Sequence, residues 1–150
     1  MSDHSKVIKN NNSGWDSVER KDYKTNTTNF KDIHRYSLLG ETEKDLNFQT
    51  RYFEIQPGGY SSLEKHRHPH SVIIIKGKGS VILDNKVADL NKHDVVYISP
   101  DTIHQFHADK GDHLGFICIV DRYRDKPVIP EDSEIEETIL NKEVRAKIKK

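Results

Sequence analysis

The chain has 150 residues, enough for one domain around a single buried core but not comfortably for two. Its 24 Lys and Arg balance 24 Asp and Glu, so no excess positive field exists to concentrate nucleic acid or anionic lipid, and a small molecule is the expected partner. The one cysteine, Cys118, excludes an intrachain disulfide and is expected to pack as a small hydrophobe within LGFICIV.

The first zone, residues 1–30, is rich in Asn, Lys, Ser and Thr and carries the isolated aromatics Trp15, Tyr23 and Phe30. This composition suits a polar, partly flexible arm that gains order by docking, and docking on a neighbouring subunit would make the protein a homodimer. No apolar h-region opens the chain and no apolar run could span a bilayer, so the expectation is a cytoplasmic protein with no membrane partner. The second zone, residues 31–130, alternates short β-rich runs with turn signals: HRYSLL, NFQTRYFEI closed by QPGG, SVIIIKG, GSVILDN, DVVYISPD, HQFHADKGD and LGFICIV. Such runs describe antiparallel strands of a small all-β barrel or sandwich. In the third zone, residues 131–150, the period changes: Ile135, Ile139, Leu140, Val144 and Ile148 recur at helical spacing, with acids first and bases last. A C-terminal helix laid on the barrel is expected, capped by Asp132 or Ser133 and open to a break near Asn141.

Chemistry concentrates in the middle zone. Residues 64–79 read EKHRHPHSVIIIKGKG, with His66, His68 and His70 at every second position, and a strand sends alternate side chains to one face. Some thirty residues on, HDVVYISPDTIHQFHA supplies a strand, a turn at Ser99-Pro100-Asp101 and a second strand opening with His104. Ligands from separate strands facing one cavity are what a divalent ion requires. His107 differs in parity from His104 and is expected to face outward, while Phe106 faces inward. His4, His34, His93 and His113 lack partners at ligand spacing and read as structural or solvated.

These two segments resemble the paired motifs of the cupin superfamily. GGYSSLEKHRHPHSVIIIKGKG is similar to the first motif and HDVVYISPDTIHQF to the second, a likeness extending over roughly Phe48 to Val120. The resemblance implies a double-stranded β-helix, or jelly-roll, barrel in which His66, His68 and His104 hold one divalent transition metal ion such as Fe, Mn, Ni, Co or Zn. It departs from the family where His93, Ser99 and Asp101 replace turn residues and where no glutamate lies between His68 and Gly77. His70 or Ser71 occupies the place of that carboxylate ligand, and imidazole makes His70 the favoured fourth ligand.

The strand FQTRYFEI offers a substrate-facing side. If Phe53 and Ile55 line the barrel, Gln49 and Arg51 share their face and Arg51 can grip an anionic ligand; otherwise Arg51 is solvated and paired across strands. Tyr97 and Phe106 are candidates for the cavity wall or for plain core. No catalytic residue is assigned. The expected function is metal-dependent chemistry on a small organic acid or similar polar metabolite, of lyase, decarboxylase or isomerase type. An iron-dependent dioxygenase and a non-catalytic metal or small-ligand binder are the alternatives.

Overall fold

The computed structural model describes residues 5–23 and 30–150, so His4 lies outside the described residues. The arm contributes β1 (Asn10–Asn11), β2 (Gly14–Trp15) and β3 (Arg20–Asp22). The barrel follows as β4 (Lys31–Leu39), β5 (Phe48–Tyr60), β6 (His70–Gly77), β7 (Gly79–Leu83), β8 (Lys86–Leu90), β9 (Val95–Ile98), β10 (His104–Ala108) and β11 (Leu114–Asp121), and α1 (Asp132–Thr138) and α2 (Lys142–Lys147) close the chain. β1 and β2 form a small hairpin, and the other strands join one antiparallel sheet in the order β8-β7-β10-β5-β11-β6-β9, with β4 also on β5 and β3 on β4. The architecture is mostly β, as expected for a jelly-roll barrel.

The QPGG segment does not end its strand. β5 pairs with β11 over Phe48–Ile55, continues through Pro57-Gly58-Gly59 and meets β10 where Tyr60 faces His107. Gly58 makes this possible: at φ +77° it bends the strand, and its N–H donates to the Asp109 carbonyl at 3.0 Å. One long bent strand therefore joins the two halves of the barrel.

Period-two burial builds the core. Phe53 and Ile55 on β5, Val72 and Ile74 on β6, Val96 and Ile98 on β9, and Leu114, Phe116 and Cys118 on β11 are all buried in one cluster. On β9 the intervening Val95 and Tyr97 are 70% and 68% exposed, so Tyr97 points to solvent and is not a cavity-wall residue. The C-terminal segment packs on the outside of the barrel as anticipated, burying Ile135, Ile139 and Val144 against Leu63, Ile82 and Ile103. It is two helices rather than one. Asn141 divides them, its Oδ1 accepting from the N–H groups of Glu143 and Val144 at 2.9 and 3.3 Å. α1 starts after Glu131 with no side-chain cap, so neither Asp132 nor Ser133 has the expected role.

The described part of the arm docks on its own barrel. β3 adds to β4, Trp15 packs edge-on to Tyr36 and Tyr52 with ring centroids 5.7 and 4.8 Å apart, and Tyr23 packs on Phe30 and Phe53. These aromatics are half-buried against their own barrel. No helix among the described residues is long and apolar enough to cross a membrane.

The turn after β6 depends on a single glycine. Gly77 sits at φ +75°, and a Cβ there would lie 1.6 Å from the His113 carbonyl oxygen. Gly77→Ala should therefore destabilise the fold by more than about 2 kcal/mol, through backbone strain plus displacement of the β11 entry. The check is the urea midpoint, which should fall while the slope of the transition stays unchanged.

Candidate metal centre and cationic cavity

Four imidazoles meet at one end of the barrel interior. His70 opens β6 and His104 opens β10, both on the inward parity, while His66 and His68 stand on the loop between β5 and β6. That loop is tied to the second histidine segment by backbone bonds, with Glu64 and His104 exchanging N–H and carbonyl at 3.1 and 2.9 Å and Asp101 N–H donating to the His66 carbonyl at 2.8 Å. Asp101 and His93, which stand where the motif has glycine, adopt φ +64° and +79°. The left-handed turns survive without glycine, Asp being one of the residues that tolerates them.

Hydrogen bonds dictate the ring states. The Nδ1 of His66 faces the His68 carbonyl at 2.7 Å, and that of His104 faces the Thr102 carbonyl at 2.9 Å. A carbonyl only accepts, so each Nδ1 carries the proton and each Nε2 keeps a lone pair. His68 Nδ1 likewise faces the Asp125 carboxylate at 3.0 Å, and Asp125 also accepts from the backbone N–H groups of Arg67 and His68 at 2.9 Å. These three bonds hold the Asp125 carboxyl well below the usual carboxylate range. Histidines that ligate metals commonly have the other nitrogen bound in this way.

The ring nitrogens of His66, His70 and His104 all lie within 4.8 Å of one another, a cluster that could hold a metal ion. His66 Nε2 is buried without a hydrogen-bond partner among the described residues. His70 thus joins the cluster, and it does not point to solvent. His68 sits alongside, stacked on His66 with ring centroids 3.7 Å apart, its Nε2 3.2 Å from that of His70. Ligand nitrogens about 2.1 Å from a common ion stand about 3 to 3.4 Å apart, so this contact also suits a shared cation.

A cavity of about 210 Å³ lies against this cluster, the scale of a small metabolite. Arg51, Phe53 and Phe106 line it, as parity anticipated, together with Arg35, Arg124, Glu64, Tyr23 and Cys118. Three guanidinium groups face one carboxylate there. Arg35 Nε and Arg51 Nε are buried with no partner among the described residues, and burial together with the charge of Arg51 pushes the Arg124 guanidinium down from its ordinary value. Gln49 does not line the cavity. Although it shares the parity of Arg51, it lies beyond the rim, where its Oε1 accepts from Arg124 Nη1 at 2.8 Å and so positions that arginine. His107 faces away from the cluster and meets Gln105 Oε1 at 2.8 Å.

Several cavity residues carried no signal on their own. Arg124 and Asp125 follow the last strand, in DRYRDKP, and come to the site because that segment returns across the histidine loop, with Lys65 and Val128 exchanging backbone hydrogen bonds at 2.9 Å. Glu64 precedes the histidines instead of following them, and its buried carboxylate accepts from Ser62 Oγ at 2.7 Å. Cys118 looked like packing. Its place opposite Arg51 is visible only once β11 is paired with β5.

The cupin domain family model matches residues 51–120. A protein of Rhodospirillum rubrum named 1-methylthio-D-xylulose 5-phosphate methylsulfurylase is 36% identical over 122 residues, spanning 81% of this chain and 77% of that one. The chain belongs to the cupin family. Among solved structures, a cupin 2 conserved barrel domain protein from Rhodopseudomonas palustris superposes with a TM-score of 0.89 at 35% identity, covering 97% of this chain and 100% of that chain. A cupin-2 domain from Rhodospirillum rubrum gives 0.82 at 33%, covering 93% of each. This cupin keeps the family barrel and brings His66, His70 and His104 into one cluster that could hold a metal ion.

Burial pushes the His70 imidazole down and lowers His104 and His107 to about 4 each; all three are neutral in the folded protein near pH 7. The sign follows from linkage: the unfolded chain takes up these protons near pH 6.5, before the folded chain can, so stability is full above that pH and falls as pH drops toward 4. Urea midpoints of the metal-free protein should be level above about pH 7 and decline steadily below about pH 6.5.

Proposed function

We propose that this cupin is a metal-dependent enzyme acting on a phosphorylated ketose that bears a methylthio group. The observation that carries the reading is the pairing, in one cavity, of a histidine cluster with three arginines whose charge a single carboxylate does not balance. The relative from Rhodospirillum rubrum is an enzyme whose name specifies a methylthio pentulose phosphate. A dianionic phosphate satisfies buried guanidinium groups better than the small carboxylate first anticipated, because it offers more acceptor oxygens and more charge.

His66, His70 and His104 would hold the ion, with His68 beside them, and three Nδ1 protons are already fixed by the Thr102 carbonyl, the Asp125 carboxylate and the His68 carbonyl. An ion held there would supply Lewis acidity toward a carbonyl oxygen of the sugar. Arg35, Arg51 and Arg124 bind the phosphate and so fix which carbon faces the histidines. Phe53, Phe106 and Phe116 wall the cavity and exclude water from the reacting end. Glu64, buried beside His104 with its carboxylate accepting from Ser62 Oγ, is positioned to hold or move a proton in the cavity.

Elemental analysis should find about one divalent ion per chain. His66→Ala or His104→Ala should abolish stoichiometric loading and His107→Ala should not, while Asp125→Ala should weaken the metal about 10- to 100-fold by releasing His68. Calorimetry with 1-methylthio-D-xylulose 5-phosphate should show tight binding that Arg35→Ala or Arg124→Ala weakens about tenfold or more each. Binding indifferent to these arginines would remove the phosphate assignment. Substrate-dependent oxygen uptake found only with iron would replace the reading with a dioxygenase.

A further inference from the structure

The cavity is charged on one flank and apolar on the other, and strand register sets the division. Arg35 of β4 stands across from Phe53 of β5, Phe53 across from Phe116 of β11, and Phe116 across from Ile74 of β6. One inward row thus runs from a guanidinium through two phenyl rings to an aliphatic side chain. Arg51, in the next row of β5, lies over the Phe53 ring at 5.0 Å from its centroid, so that ring is the boundary between the two flanks. Arg124 joins the charged flank, its Nη1 donating to Gln49 Oε1 of β5 at 2.8 Å. On the other flank Phe106 arrives from β10 and stacks on Phe116, with ring centroids 4.5 Å apart. Both rings are buried from bulk solvent yet line the cavity.

Resting on the function proposed above, we infer that Phe106 and Phe116 form a thioether subsite, which holds the methylthio end of the substrate and rejects the same sugar phosphate carrying a hydroxyl there. The phosphate cannot make this distinction, since both compounds would satisfy the arginines equally. In a ketose with a methylthio group on carbon 1 and a phosphate on carbon 5, the two groups lie at opposite ends, as the rings and guanidinium groups lie on opposite flanks. Stacking covers one face of each ring and leaves the edges, and a thioether sulfur is favoured about 5 Å from a ring, often at its edge. Seating the methyl group there also removes apolar surface from water. A hydroxyl in the same place would lose its hydrogen bonds to water, and neither ring has a donor or acceptor to replace them. Attraction of one group and exclusion of the other therefore act in the same direction.

Calorimetry on the metal-loaded full chain, with 1-methylthio-D-xylulose 5-phosphate and with D-xylulose 5-phosphate, tests the assignment. The methylthio compound should bind about 10- to 100-fold more tightly. Phe106→Leu and Phe116→Leu keep an apolar side chain in the core but remove a ring. Each should cut that preference about three- to tenfold, with metal content at the wild-type level. Arg124→Ala should weaken both compounds to the same degree and leave the preference intact. Equal affinity of the wild type for the two compounds, or a preference that survives both leucine substitutions, would overturn the thioether subsite and leave the phosphate-binding enzyme assignment standing. A wild-type protein that binds neither compound would remove both.

Discussion

The register of β11 between β5 and β6 is the constraint on which the site depends. It sets Cys118 opposite Arg51 and Val72, and Phe116 opposite Phe53 and Ile74, so the inward faces of three strands form one continuous wall. A slip of one residue would send every one of these side chains to the other face. Glycine protects that register at its start, since Gly77 is the partner of Leu114 and admits no Cβ against His113. The bent β5 then carries the wall round to β10, bringing His104 and Phe106 to the same interior.

Such an interior is costly to maintain. Three buried nitrogens, on Arg35, Arg51 and His66, have no hydrogen-bond partner among the described residues, and each such group costs about 1 to 3 kcal/mol. Fully buried aliphatic side chains such as Ile55, Ile74, Ile98 and Leu114 contribute about 1.5 to 3 kcal/mol each, so the apolar end of the barrel offsets the polar end. The polar end is accordingly held by bonds from outside the barrel proper. Asp125 clamps the histidine loop through three hydrogen bonds and Gln49 braces Arg124. A second apolar cluster holds α1 and α2 against Leu63, Ile82 of β7 and Ile103. Stability resides in one part of the structure and the costly polar groups in another.

Much of this was legible from local pattern. Alternation along NFQTRYFEI placed Arg51 and Phe53 on one face, the opposed parity of His104 and His107 sent one ring inward and the other away, and the two histidine segments carried the likeness to cupins. The same rule read on DVVYISPD puts Val96 and Ile98 inside and Tyr97 outside; an aromatic side chain alone suggested a wall residue that the alternation denies. Gln49 shows the limit from the other side. It has the right parity, but parity does not say how far along a strand the cavity extends.

The sequence by itself determined the all-β barrel, the apolar stripe of the C-terminal helices and the convergence of histidines from two segments. Each of these follows from a short-range period that the chain must obey wherever it is placed. Only the tertiary structure decided that His70 joins His66 and His104 while His68 is held by Asp125, that Arg35 and Arg124 enter the cavity with Arg51, and that Cys118 faces both Arg51 and His70. These contacts join residues as many as 67 positions apart, through strand pairings and a returning loop that no local period encodes. The barrel's register chooses them, and it exists only when all its strands are in place.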